Sequence, residues 1–396
     1  RRTGGQTGKE FKFIMTAAGL IFSNIHDKNM AELTCRRTMA SIPFGCRYRL
    51  IDFALSNMVN SDISKIGIVT HYNYQSLLDH IGTGKDWDLA RRSGGIKILP
   101  PFITAYENAA SAKLYTTRLE ALLGVMNFIN RCNEDYIVLS DCDVICNINI
   151  SDVIKYHEKH GADITIVTKR INASEYNLAS DIMIAGNDAE DGKNGRITSF
   201  TEYNSSVKGV INISTNIMVI NRPYLQSILY EAEAKGYHSF HRDIIAAKLD
   251  HANFRTYEYD GCYALIRSLN DYFACSMNLL DGDMREGLFG IPERPIYTKV
   301  RNSPPTVYEE GADVRNSLIA DGCIIEGEVE NSIIFRGVRV GKGSKVRNSI
   351  LFQDCYVGSD VLLNCVLADK NVVIKDGRML SGHETMPFFV KKNSNV

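Results

Sequence analysis

From residue 15 to about residue 266, short apolar runs alternate with amphipathic stretches. The runs AAGLIFS, KIGIVT, DYIVLS, DITIVT and NIMVI predict strands, being short, apolar and rich in β-branched residues. FALSNMVNS, YQSLLDHI, RLEALLGVMNFINRC and RPYLQSILYEAEAKG predict helices. In the third of these, Leu119, Leu122, Leu123, Met126 and Ile129 recur at helical spacing and make one apolar face. Strands alternating with helices argue for an α/β domain built on a mostly parallel sheet covered on both faces.

The pattern changes after about residue 307. From Tyr308 to Arg378 a phrase recurs instead of a helical period: NSLI at Asn316, NSII at Asn331, NSIL at Asn348 and NCVL at Asn364, in steps of 15, 17 and 16 residues. Ile324, Val340, Val357 and Val373 keep pace at 16, 17 and 16. Six-residue steps run through Ile334, Val340, Val346 and Phe352, and Gly322, Gly337, Gly341 and Gly358 punctuate the corners. A repeat of roughly three hexads suits a parallel β-helix, one coil per repeat, in which each coil buries its apolar corners only by stacking on the next. A β-sandwich would alternate with period 2 and would not hold this pace. The expected organisation is an α/β domain over residues 15–280, a proline-bearing connector over 281–307 and the β-helix over 308–396. Residues 1–14, RRTGGQTGKEFKFI, are polar and glycine-rich, read as a tag or vector remnant before a native start at Met15, and are set aside.

Composition narrows the classes. The 396 residues are 44% hydrophobic and 23% charged, with a net charge of −1, so no global field draws the chain to nucleic acid or a membrane surface. No apolar run approaches the roughly 20 residues that span a bilayer, and no secretory signal opens the chain. The ten cysteines lack framework or metal spacing, and Cys142 with Cys146 is a weak pair. Free thiols in a reducing cytoplasm are the expectation.

The segment SIPFGCRYRLIDFALSNMVNSDISKIGIVTHYNYQSLLDHIGTG resembles ADP-glucose pyrophosphorylase, the glucose-1-phosphate adenylyltransferase of glycogen and starch synthesis. The family phrase P-F-G-G-K-Y-R-I-I-D-F-x-L-S-N lies on Pro43 to Asn57 with few changes, and the resemblance runs from residue 15 to the end. It implies a Rossmann-like nucleotidyltransferase domain, a left-handed β-helix and a tetramer.

The same resemblance exposes losses. The family's A-L-V-L-A-G-G-R-G-T-R-L-Y-P-L-T lies on GLIFSNIHDKNMAELT without a gap. Its adjacent glycines fall on Asn24 and Ile25, the next glycine on Asp27 and the loop arginine on Asn29. A glycine-rich loop turns its N–H groups toward phosphate without Cβ interference, and a cation neutralises the charge. Here Asn24 and Ile25 crowd the turn and Asp27 adds like charge. The lysine of A-K-P-A falls on Met39. The Mg²⁺ aspartate of G-D-H-I-Y is matched by Asp143, but that of W-E-D-V-G-T falls on Leu265, so the paired carboxylates that hold Mg²⁺ are broken. The sugar-phosphate lysine of E-K-P falls on Tyr203, beside a matched Glu202. Of S-M-G only Ser214 survives, and G-T-A-D-A becomes TRLEA from Thr117.

Basic residues persist elsewhere. Arg36 and Arg37 match the pair before A-K-P, and Arg47 and Arg49 match K-Y-R. In the family, residues flanking these phrases bind phosphorylated effectors in a cleft between the domains; the guanidinium fork suits phosphate oxygens. The family's histidine-or-proline position there is Pro43. Asp141 and Asp143 share a face if the strand is regular; one metal-facing aspartate and one strand-end cap is the simpler expectation. His241 and Arg242 replace D-F-G-K, with His241 expected at the surface. His71, Tyr72 and Tyr74 are expected to pack. The β-helix carries no histidine between Tyr308 and Arg378, only His383 beyond it, which disfavours a hexapeptide-repeat acyltransferase. The resemblance implies a non-catalytic or weakly catalytic regulatory subunit. It binds no cofactor or metal itself, takes a sugar-phosphate effector, and pairs in a heterotetramer with a catalytic subunit that uses Mg²⁺, ATP and glucose-1-phosphate. The alternative is an active adenylyltransferase with a rearranged loop.

Overall fold

A computed structural model describes residues 16–91, 94–100, 115–173, 182–187, 194–203 and 207–396. The expected leader, residues 1–14, lies outside them.

The first domain is built on a nine-stranded sheet. In chain order its strands are β1 (Ala17–Phe22), β2 (Lys65–Val69), β3 (Gly95–Leu99), β4 (Tyr136–Asp141), β5 (Ile164–Asn172), β6 (Ile182–Asn187), β7 (Arg196–Glu202), β8 (Val210–Asn221) and β9 (Phe254–Glu258). Their order across the sheet is β3-β2-β1-β4-β8-β5-β9-β7-β6. Each predicted strand is present, but the sheet is mixed, with β9 parallel to β5 and antiparallel pairs around them. β3, β2, β1 and β4 pair in parallel, whereas β8 runs antiparallel to both β4 and β5. β6 and β7 are also antiparallel, and there connection length decides: eight residues join them, too few for the crossover of a dozen or more that parallel pairing needs.

Apolar side chains pack on both faces. One cluster joins Leu119, Leu122 and Ile129 to Leu225 and Leu229, and the other joins Leu55, Ile66 and Trp87 to Val153. The apolar stripe from Arg118 to Cys132 does not form one helix. It breaks at Val125 (φ −110°, ψ 16°) into Arg118–Gly124 and Met126–Asn130. The helix Arg222–Lys235 ends, as its sequence predicts, on a left-handed Gly236.

The C-terminal region is a left-handed parallel β-helix of three five-stranded parallel sheets. Asn316, Asn331 and Asn348 all sit at positive φ, between 40° and 46°, where asparagine is the best-tolerated residue after glycine. Their side chains also ladder between coils, Asn316 Nδ2 donating to Asn331 Oδ1 at 2.8 Å and Asn348 Nδ2 to Asn364 Oδ1 at 3.0 Å. In the fourth phrase Cys365, not Asn364, takes the left-handed corner (φ 50°). The inner column likewise runs through Ile325, Val340, Val357 and Ile374, each fully buried. Ile324 and Val373 are its neighbours, one residue out of step with the sequence reading.

The two regions share one core. Phe44, Phe53 and Tyr272 of the first pack with Phe335 and Phe352 of the second. Phe352 meets Tyr272 edge-on at 6.0 Å and Phe335 at 5.0 Å, and Tyr272 Oη donates to the Pro43 carbonyl at 2.5 Å. Arg37 closes the seam with both Asp369 carboxylate oxygens at 2.8 Å. The connecting segment is not irregular throughout: it opens with the helix Gly282–Phe289, whose Phe289 stacks on Tyr48 at 4.8 Å.

Candidate functional site

β1 delivers the chain to the site, and the segment after it folds onto itself. Asp27–Met30 is a 3₁₀ turn and Ala31–Thr34 a single α turn. No residue from Asn24 to Asn29 has a positive φ, so glycine is not required and no cradle of convergent N–H groups is set by left-handed turns. Asn24 is buried and its Oδ1 accepts from Tyr115 Oη at 3.0 Å. Asp27 Oδ1 accepts the Met39 N–H at 2.7 Å, and the Asp27 carbonyl accepts Thr34 Oγ1 at 2.7 Å. Burial pushes the Asp27 carboxyl up to about 7. Met39 is 2% exposed and packs with Met30, Leu33 and Ile42. The position to which the resemblance assigns a phosphate-facing lysine is therefore core, and Asp27 ties the segment after β1 to it. Asn29 is exposed at the cleft rim.

At the end of β4, Asp141 and Asp143 are each 1% exposed. Leu265, the position the resemblance gives to the second metal aspartate, lies on the strand next to Asp143. The strand Tyr263–Leu265 pairs with Val144–Cys146, Leu265 lies opposite Val144, and the Ile266 N–H reaches the Asp143 carbonyl at 2.9 Å. An apolar side chain therefore stands beside Asp143 where the second carboxylate of a Mg²⁺ pair is needed, and the residues do not fit that pair.

Two other side chains approach the carboxylates. Arg118, the first residue of its helix, places NH2 2.5 Å from Asp141 Oδ2 and lies over the Phe22 ring. His26 Nε2 lies 3.5 Å from Asp141 Oδ2 and 3.7 Å from Asp143 Oδ2. Burial works against the Asp141 carboxylate, but Arg118 and His26 outweigh it and hold its pKa below the ordinary value. Burial raises Asp143. His26 is raised: burial opposes its charge, and Asp143 with Asp141 overcomes that. Asp141 is thus not a strand-end cap but the centre of an ion-paired network. The sequence held the signal, since charged residues arrive together in TRLEA and in SDCD; their pairing needed the fold.

The adjoining cleft, about 290 Å³, is lined by His26, Asn29, Arg118, Ser214, His241 and Arg267 among others. Ser214 sits at a bulge in β8, its Oγ accepting the Asn216 N–H at 3.1 Å. His241 is not a surface residue: it faces this cleft, Nε2 is buried without a hydrogen bond, and burial lowers its pKa to about 3. Its neighbour Arg242 is exposed and pairs with Asp243. Glu202 is exposed at the end of β7, outside the cleft lining, and Tyr203 Oη donates to the Val207 carbonyl at 3.2 Å. His71 packs against the Tyr72 and Tyr115 rings at 4.5 and 4.7 Å, and Tyr74 against the apolar core.

A second pocket of about 340 Å³ lies between the domains, and six cations line it: Arg47, Arg49, Lys299, Arg301, Arg336 and Lys370. Arg49 is tied by NH1 to the Ser76 carbonyl at 2.6 Å, and burial lowers its pKa to about 10. Arg37 is committed to Asp369, and Arg36 is exposed away from the lining. Burial, with Arg49 and Arg37 close by, lowers Lys370 to about 6. Sequence reasoning missed the last four cations because they come from distant segments that only the docked β-helix brings together.

Comparison with known proteins follows this division. Residues 28–263 match the nucleotidyl transferase family and residues 306–385 the GlmU-like C-terminal hexapeptide family. The chain is 34% identical over 376 residues to the glycogen biosynthesis protein GlgD of Bacillus subtilis, covering 94% of this chain and 95% of that protein. It is 32% identical to the glucose-1-phosphate adenylyltransferase of Bacillus cytotoxicus, covering 89% and 91%, and 31% identical to that of Fervidobacterium nodosum, covering 95% and 88%. No helix among the described residues is long and apolar enough to cross a membrane. With its nucleotidyl transferase domain, hexapeptide β-helix and near full-length similarity to these proteins, the chain belongs to the family of glucose-1-phosphate adenylyltransferases and their GlgD relatives.

Proposed function

We propose that this chain is a non-catalytic regulatory subunit of a glucose-1-phosphate adenylyltransferase in glycogen biosynthesis, working in a hetero-oligomer with a catalytic subunit. One observation carries the reading: Arg118 pairs with Asp141, and His26 lies within ion-pair distance of Asp141 and Asp143, where ATP and Mg²⁺ would sit, with an apolar Leu265 and a buried Met39 in place of charged residues. Adenylyl transfer needs the two substrates held in line and the transferring group's charge neutralised. Removing one positioned donor alone lowers rate by about a hundredfold to a thousandfold. In the complex, the partner supplies the Mg²⁺ site and joins ATP to glucose-1-phosphate, releasing pyrophosphate. The test is an assay of this chain alone, of an intact adenylyltransferase from the same organism alone, and of their mixture. The expectation is negligible pyrophosphate release from this chain, co-elution of the two chains on sizing, and altered rate or effector response in the mixture. A mixture that equals the average of its parts, with no complex, removes the reading.

The interdomain pocket is the proposed effector site, with Arg47 and Arg49 meeting phosphate oxygens together with Lys299, Arg301, Arg336 and Lys370. Lys370, near 6, is largely neutral at pH 8 and charges as pH falls. Sulfate carries a fixed charge over this range, so its affinity is expected to rise from pH 8 to pH 5.5. Lys370→Met flattens that dependence. Calorimetric titration at both pH values reads the effect.

A further inference from the structure

We propose that His26, Asp141 and Asp143 form a divalent cation site for a metal of the Mn²⁺, Co²⁺ or Zn²⁺ class, distinct in its donors from a paired-carboxylate Mg²⁺ site. The three residues place one imidazole nitrogen and two carboxylates within 4.8 Å of one another. The separation of His26 Nε2 from Asp143 Oδ2, 3.7 Å, is close to the edge of about 3.4 Å expected for a tetrahedron around an ion bonded at about 2.1 Å.

The second observation is the state of the acids. Neither oxygen of Asp143 accepts a hydrogen bond, and Asp141 Oδ1 accepts none, although both carboxylates are 1% exposed. Buried acceptors are rarely left so, because an unmet one is costly. Arg118 occupies only Asp141 Oδ2, which leaves Oδ1 available to an ion. Arg267 lines the same cleft, yet Asp143 takes no hydrogen bond from it. His26 faces the cleft, so an ion has a path in.

The donor set selects the metal. Mg²⁺ takes oxygen ligands in near-octahedral order and keeps several waters. An imidazole nitrogen favours the later divalent ions, and mixed nitrogen and carboxylate sets also hold Mn²⁺. His26 stands on the segment that in active relatives bends around phosphate, so this site needs no nucleotide to complete it.

The probe is Mn²⁺ added to the metal-free full-length chain, without nucleotide or partner, followed by electron paramagnetic resonance. This result is independent of whether the chain is catalytically silent. The expected result is one Mn²⁺ per chain, a ¹⁴N coupling from the bound imidazole, and resistance to a tenfold excess of Mg²⁺. His26→Ala should weaken Mn²⁺ by at least about tenfold, the loss seen when even an outer partner of a ligand is removed, and should abolish the nitrogen coupling. Absence of stoichiometric binding, equal displacement by Mg²⁺, or Mn²⁺ bound without ¹⁴N coupling overturns the proposal. Asp143→Asn is the second variant and should also lose Mn²⁺; if either variant does not fold, the nitrogen coupling in the unaltered chain decides.

Discussion

Arg37→Ala is expected to destabilise the chain by about 3–5 kcal/mol, the range for removing one partner of a buried ion pair. Arg37 and Asp369 are separated by 332 residues, are 3% and 2% exposed, and meet through both carboxylate oxygens at 2.8 Å. Taking away the guanidinium leaves the Asp369 charge in the seam with, among the described residues, only the Lys370 N–H, at 2.7 Å, still donating to it. The penalty is the stranded carboxylate rather than the lost attraction. Arg37→Met combined with Asp369→Leu, which removes both charges, should therefore recover most of the loss. Urea unfolding of the three variants measures this. A single variant within 1 kcal/mol of the parent shows that water reaches Asp369 and that the clasp is not what holds the seam.

Met39→Lys comes next in size, with an expected loss of about 3 kcal/mol or more, as for other unpaired charges placed in a core. The lysine is what the family resemblance places there, yet the structure makes the substitution disruptive. Met39 is 2% exposed among Met30, Leu33 and Ile42, and its N–H is held by Asp27. Met39→Leu should stay within about 1.5 kcal/mol of the parent, as a volume-conserving swap does. Thermal unfolding separates the two. Retained stability in Met39→Lys, together with new nucleotide binding, shows that the pocket reopens around a lysine.

Much of the architecture was legible because it rests on periodicity. Strand alternation, the helix ending at Gly236 and the β-helix pace each follow from local steric rules. What escaped depended on partners far apart in sequence. The antiparallel β6–β7 pair followed from a connection of eight residues, which apolar patterning does not weigh. The one-residue slips arose because the coils run 15, 17 and 17 residues, from Ile325 to Val340, Val357 and Ile374, where the sequence reading stepped 16, 17 and 16, and because the fourth corner falls on Cys365, 17 residues after Asn348 rather than 16. At the site, the losses at Asn24, Met39 and Leu265 could be read singly against a family phrase. The replacement network could not, because His26, Arg118 and Asp141 lie on three segments and pair only once the sheet is assembled. His241 was misplaced for the same reason: its exposure is set by β7, through Phe200, at a ring distance of 5.5 Å.

The aromatic seam of Phe44, Phe53, Tyr272, Phe335 and Phe352 limits how a signal can travel. Interiors packed at this density resist gradual deformation, so an anion settling among Arg47, Arg301 and Lys370 has no hinge to swing. Its binding free energy is left to act on the outer contour of the molecule, by stiffening one facet and fixing side chains that otherwise sample several rotamers. Communication of that kind is read by whatever rests against the facet, and it asks for no chemistry in the chain that sends it.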